Sequence, residues 1–295
     1  MEGHSKPATI DPPIAIAGAG LQATPLVLAS PHSGTDYPAD FLAASRLDPL
    51  TLRRSEDSYV DEIFGAAVEL GAPMLRACFS RAYLDPNREP YELDPTMFVD
   101  PLPAFVNTRS PRVRVGLGTI ARIVATGEEI YRRKLRFDEA RHRVERLYQP
   151  YHHALDRLLS ATRECYGCYV LLDCHSMPSI PVPGERGAHR SRADIVLGDC
   201  HGTACHPIVM ETAHRILGDR GYSLARNTPY AGGFTTAHYG KPAEGGHCLQ
   251  IEISRSLYMD ERSFERKPYM ARLAEDMRAL AVALAALDRD RLRPM

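Results

Sequence analysis

Tyr169-Val170-Leu171-Leu172-Asp173-Cys174-His175-Ser176 is an apolar run that ends abruptly in an acid and a histidine. A buried strand whose carboxyl end opens into a site reads this way. Open α/β sheets bind ligands outside the carboxyl ends of their strands, so His175 is expected where a metal or a reacting group would be held. A lone histidine after a strand is more often structural than functional, and the reading therefore depends on partners elsewhere in the chain.

A second run of the same kind, 25–30, breaks at Pro31-His32-Ser33-Gly34, again a strand whose exit carries a histidine. Further strands are expected over 74–79, 193–198 and 247–254. In the last of these, Leu249, Ile251 and Ile253 alternate with Gln250, Glu252 and Ser254, so Glu252 lies on a polar face. On an edge strand that face would simply meet solvent, whereas beside a metal Glu252 would suit a general base. Helices are expected over 59–68, 137–165 with a break at Pro150, 207–217 and 265–287.

Ser55 reads as the N-cap of the first helix, with Glu56 and Asp57 in its first turn. Capping alone would account for both acids; the alternative makes Asp57 a metal ligand turned back toward a strand end. Ser80-Arg81-Ala82-Tyr83-Leu84-Asp85-Pro86-Asn87-Arg88 is an irregular polar loop. Such loops are usually solvated surface, but the fork of Arg88 beside Asn87 is suited to gripping a substrate carboxylate. Pro- and Gly-rich stretches near 90–118 and 177–192 read, the first as an insertion or lid, the second as an active-site wall or a mobile flap. The adjacent His152 and His153 fall on different faces of a helix and do not form a ligand pair.

With 295 residues, 44% of them hydrophobic, the chain can bury a large α/β core. Its formal charge of −1 and the lack of a basic block interleaved with aromatics argue against nucleic acid, while an anionic small molecule remains a suitable partner. No apolar run approaches a membrane span, and the first residues show no signal pattern, so a cytoplasmic location is expected. The 7 scattered cysteines agree with a reducing compartment, and Cys165-Tyr-Gly-Cys168 lacks the second pair a zinc knuckle requires. A serine or cysteine nucleophile at Ser176 or Cys174 would need a G-x-S-x-G elbow, which is absent.

Taken in order, Pro31-His32-Ser33-Gly34, Glu56-Asp57, Ser80-Arg81 with Asp85 and Asn87-Arg88, Asp173-Cys174-His175-Ser176, Gly232-Gly233-Phe234-Thr235-Thr236 with His238-Tyr239-Gly240, and Gln250-Ile251-Glu252 resemble the N-formylglutamate amidohydrolases. That family is similar in turn to zinc carboxypeptidases and succinylglutamate desuccinylases. The resemblance implies a phosphorylase/hydrolase-like α/β fold with a mixed central sheet flanked by helices. It implies one hydrolase domain over 23–290 after an amino-terminal extension, 1–22.

It also implies one zinc ion per chain, held by His32, Asp57 and His175, with Glu56 or Asp36 as alternatives for the middle ligand. Glu252 matches the carboxypeptidase general base, and Asn87 and Arg88 match the pair that binds the substrate's α-carboxylate. Arg81 is the expected oxyanion partner, His238 a donor near the leaving group, and Gly233 and Thr235 substrate-binding positions. Arg192 or Arg226 would serve a second carboxylate. The implied reaction is hydrolysis of an N-acyl amino acid, foremost N-formyl-L-glutamate, to formate and glutamate within histidine breakdown.

Overall fold

Seven short apolar runs assemble into one mixed sheet in the computed structural model, which describes residues 10–20, 22–124, 126–180 and 193–294. The strands are β1 (Ile14–Ala17), β2 (Leu26–Ser30), β3 (Met74–Ala77), β4 (Tyr169–Met177), β5 (Ile195–Gly198), β6 (Leu224–Arg226) and β7 (Gly246–Ser254). Their order across the sheet is β1-β3-β2-β4-β7-β5-β6. The pairs β2–β3, β2–β4, β4–β7 and β5–β6 are parallel, and β5–β7 is antiparallel.

β4 is longer than its apolar run suggests. The ladder with β7 continues through Met177 opposite Ser254, and all nine residues of β4 are buried. His175 therefore lies within the strand, near its carboxyl end. β7 is an interior strand between β4 and β5, buried throughout, so the edge-strand reading of Gln250 and Glu252 is overturned.

The chain forms two compact units, one of them built from 16–33, 57–76 and 153–295. In this unit Leu26 and Leu28, Val170, Leu172 and Cys174, and Leu249, Ile251 and Ile253 project to one sheet face. There they pack with Val60, Ile63 and Phe64 of the helix Val60–Gly65, Val209 and Ala213 of Pro207–Asp219, and Leu273, Met277 and Leu280 of Tyr269–Ala285. Burying this apolar surface is the main stabilising term. Because side chains alternate along a strand, the residues between them fall on the opposite face. That second face carries Asp173, His175, Gln250 and Glu252, and the short helix Phe234–Tyr239 lies against β4 and β7.

The other unit comprises 1–15, 34–56 and 77–152. At its centre the Arg143 guanidinium lies 4.0 Å from the Tyr83 ring centroid and donates to Tyr83 O at 3.0 Å and Tyr131 Oη at 2.7 Å. These contacts satisfy a buried cation. Gly34 is required here, since a Cβ would sit 2.3 Å from Phe79 O.

Three expected helices change shape. Ser55 is not an N-cap: the helix starts at Val60, after Tyr59 in the left-handed region (φ 67), because Asp57 N–H is committed to His32 O at 3.0 Å. The stretch 137–165 forms Phe137–Arg143, a π-helical turn Val144–Tyr148, and Gln149–Tyr166. Pro150 lacks an N–H, and the wider turn precedes it. The last helix begins at Tyr269 rather than 265, since Arg266 bridges Met259 and Lys267 N–H donates to Tyr258 O.

Candidate metal centre

Ser30 ends β2, and Pro31 turns the chain so that His32, 2% exposed, leaves the sheet beside the end of β4. The Ser33 hydroxyl donates to Asp57 O at 3.2 Å and accepts from Asp61 N–H at 3.3 Å. Together with the Asp57–His32 backbone bond, these contacts draw Asp57 to the strand exit. Strand geometry and one turn thus converge on a buried point.

Ligand atoms of His32, Asp57 and His175 all lie within 4.8 Å of one another. Asp57 Oδ2 is 3.3 Å from His32 Nδ1 and 3.0 Å from His175 Nδ1. The two imidazole centroids are 4.7 Å apart. The opposite nitrogen of His175, Nε2, donates to Asp173 Oδ1 at 2.8 Å, and Thr236 Oγ1 donates to Asp173 Oδ2 at 3.0 Å. A carboxylate behind an imidazole fixes its tautomer and aims its other nitrogen, as in metal-ligating histidines.

Burial opposes charge on Asp57, yet hydrogen bonds from His175 and His32 outweigh it and hold the carboxyl well below its usual range. For His175 burial again opposes the charged form. The charge and hydrogen bond of Asp173, with lesser help from Asp57 and Glu252, reverse that and raise the ring well above its usual pKa. A cluster of two imidazoles and an anionic carboxylate is matched to a cation of borderline softness.

Glu252 faces His175 in register across the β4–β7 ladder and is 8% exposed. Gln250 Nε2 donates to Glu252 Oε1 at 2.9 Å, and Gly233 N–H donates to Gln250 Oε1 at 2.7 Å, so one amide orients the carboxylate. Gly233 thus spends its N–H on the protein. Thr235 is fully buried, and its neighbour Thr236 is the one that reaches Asp173.

The remaining expected residues have the following surroundings. His238 is exposed, stacked on Phe234 at 4.9 Å, in a polar cleft with Asp156, Arg163, Lys241 and Glu244. Arg226 is exposed at the end of β6, and Arg192 is outside the described residues. In the other unit, the loop 80–88 is not solvated surface: Asp85, Asn87 and Arg88 are all buried. Arg81 Nη2 donates to Asp85 Oδ2 at 2.7 Å, Asn87 N–H donates to Asp85 Oδ1 at 2.9 Å, and Arg88 donates to Leu117 O at 2.9 Å and Asn87 O at 2.7 Å. Glu56, buried in that unit, is bound by Tyr37 and by Arg53 at 3.3 Å; Asp36 is exposed. Among the described residues the ligand group comprises His32, Asp57 and His175.

Cys174 packs into the apolar core, where burial first and the Asp173 charge second push its thiol well up, away from the reactive thiolate. Sequence reasoning assigned no role to Arg255, which donates from Nη2 to Asp57 Oδ1 at 3.0 Å, and Ser176 Oγ donates to the same oxygen at 3.3 Å. The i,i+2 spacing of Asp173 and His175, and of Gln250 and Glu252, is a readable signal that each pair shares a face. No comparable signal marks Arg255.

The chain matches the N-formylglutamate amidohydrolase family over residues 24–259. It is 28% identical to N-formylglutamate deformylase of Pseudomonas putida over 241 residues, 80% of this chain and 82% of that one. It is 28% identical to N-formylglutamate deformylase of Pseudomonas aeruginosa over 260 residues, 87% and 89% of the two. Among solved structures, N-formylglutamate amidohydrolase from Ralstonia eutropha JMP134 superposes with a TM-score of 0.86 at 39% identity, covering 92% of this chain and 97% of that one. A gene product of Agrobacterium tumefaciens shares the fold at a TM-score of 0.62 and 17% identity, covering 92% and 94%. The matched residues contain every strand from β2 to β7 and all three members of the His–Asp–His group, and the chain belongs to the N-formylglutamate amidohydrolase family.

Proposed function

We propose that the chain is a zinc-dependent amidohydrolase that cleaves N-formyl-L-glutamate to formate and L-glutamate. The observation that carries this reading is the buried His32–Asp57–His175 group with Glu252 opposite His175. Two imidazole nitrogens and one carboxylate oxygen fit zinc, and three protein ligands are the complement of a catalytic rather than a structural zinc. Relatives named for the deformylase support the substrate. Bound zinc would supply Lewis acidity, polarising the acyl carbonyl and making hydroxide available near neutral pH.

The chain's own residues supply the rest. Glu252, aimed by Gln250 and Gly233, takes the proton of the attacking water and returns it to the departing amine. Asp173 keeps the His175 Nδ1 directed at the ligand cluster. By the family pattern, Arg81 offsets the oxyanion, and Asn87 with Arg88 receives the substrate's α-carboxylate. His238 is assigned to the leaving-group side.

Formate release from N-formyl-L-glutamate, before and after chelation and zinc restoration and with Glu252→Gln alongside, tests this. Activity lost with zinc, regained with it and absent in the variant is the expected result. A zinc-loaded protein that ignores N-formylglutamate but cleaves another N-acyl amino acid would remove the substrate, and metal-independent hydrolysis would remove the mechanism.

A further inference from the structure

We infer that Arg255 and Ser176 are positioning residues that hold Asp57 as a one-oxygen ligand, an inference that rests on the metal reading of this site. The two oxygens of Asp57 are used differently. Oδ2 faces both imidazoles, 3.3 Å from His32 Nδ1 and 3.0 Å from His175 Nδ1. Oδ1 accepts from Arg255 Nη2 at 3.0 Å and from Ser176 Oγ at 3.3 Å. Arg255 Nε closes the ring by donating to Ser176 Oγ at 3.1 Å.

This arrangement follows from where Arg255 sits. It opens the 3-10 turn Arg255–Leu257 directly after β7, so the ladder that sets Glu252 beside His175 also delivers the guanidinium behind Asp57. A planar guanidinium presents Nε–H and Nη2–H in fixed directions, and both are engaged here. A lysine ammonium is a single point of charge and cannot reproduce both contacts.

Asp57 is 1% exposed and Arg255 6% exposed. A carboxylate so buried needs a cation beside it whether or not a metal is present. Arg255 provides that cation at Oδ1, while Oδ2 faces the histidines. With Oδ1 engaged, Asp57 offers one oxygen, which leaves open the coordination position a substrate carbonyl requires. Were Oδ1 released, the carboxylate could pivot and chelate with both oxygens.

The test uses full-length Ser176→Ala and Arg255→Lys. Zinc affinity is measured by competition with a chromophoric chelator, coordination by the visible spectrum of the Co2+-loaded protein, and the fold by the melting temperature of the metal-free protein. Ser176→Ala keeps every charge and removes one hydroxyl, so it remains informative if the arginine variant folds poorly. Both variants are expected to bind zinc ~10–100-fold more weakly, the usual cost of losing a group that orients a ligand. The Co2+ bands should also weaken as a second Asp57 oxygen enters and the coordination number rises. Wild-type affinity and an unchanged Co2+ spectrum in both variants would overturn the inference, as would a loss of melting temperature alone. If the unsubstituted protein bound zinc no better than His175→Ala, the metal reading would fall, and this inference with it.

Discussion

His175 on β4 and Glu252 on β7 stand opposite each other in the parallel ladder. Strands so paired are about 4.8 Å apart, and residues in register share a sheet face. The proposed ligand histidine and the proposed carboxylate base are therefore juxtaposed by backbone hydrogen bonding, with no loop to be ordered first. Glu252→Gln keeps the shape and removes the proton acceptor. We expect kcat for formate release to fall ~100–10,000-fold while bound zinc per chain stays unchanged. Loss of zinc in this variant would move Glu252 from base to ligand.

Asp173 supports the same histidine from behind, accepting from His175 Nε2 at 2.8 Å and from Thr236 Oγ1 at 3.0 Å. Asp173→Asn retains the volume but withdraws the anionic acceptor. Zinc affinity should drop ~10–100-fold by chelator competition, and Thr236→Val should show a smaller loss in the same direction. Unaltered affinity in Asp173→Asn would show that His175 needs no such support.

Arg88 is buried and already donates to the carbonyls of Leu117 and Asn87. Burial lowers its pKa, against the nearby Asp85 charge, while the guanidinium stays protonated, so a second anion beside this buried cation would be favourable. If that anion is the substrate carboxylate, Arg88→Met should raise KM for N-formyl-L-glutamate ~10–100-fold with a smaller effect on kcat, since hydrogen bonds to charged groups contribute about 1.5–3 kcal/mol. Steady-state kinetics decide it: a selective loss of kcat would place Arg88 outside substrate binding.

His247 carries a pH dependence separate from the His32–Asp57–His175 group. Its Nε2 donates to Leu292 O at 2.8 Å, and its Nδ1 accepts from His206 N–H at 3.1 Å, so both nitrogens are committed in the neutral ring. Burial chiefly, and His206 secondarily, lower its pKa against the pull of the Leu292 carbonyl. The folded value lies below the unfolded one of ~6.5, so no penalty exists above that pH. As pH falls through it, the unfolded chain takes up a proton that the folded chain resists, and stability is lost at up to about 1.4 kcal/mol per pH unit. Denaturant melts at pH 7.5 and 5.5 should show a larger loss for the unsubstituted protein than for His247→Gln. Equal losses would contradict the assignment.

By itself the sequence located β2, β3, β4, β5 and β7, although β4 continues past its apolar run to Met177. The run 169–172, the breaks after Ser30 and Leu172, and the alternation 249–254 follow from local chemistry, because side chains along a strand alternate and apolar runs must be buried. The same patterning singled out His32, His175 and Glu252, and motif order supplied the family.

Tertiary structure decided what each of those residues touches. β7 could be read as an edge strand until pairing placed it between β4 and β5, because a strand's sequence does not name its neighbours. Glu56 and Asp57 were equivalent as first-turn acids until the Asp57–His32 backbone bond turned one toward the histidines and Arg53 and Tyr37 bound the other. β1 and β6, only 4 and 3 residues long, carry too few side chains to show a period. Arg255 was the least legible of all: its partner Asp57 is 198 residues away in the chain, and only the fold brings that cation to that carboxylate.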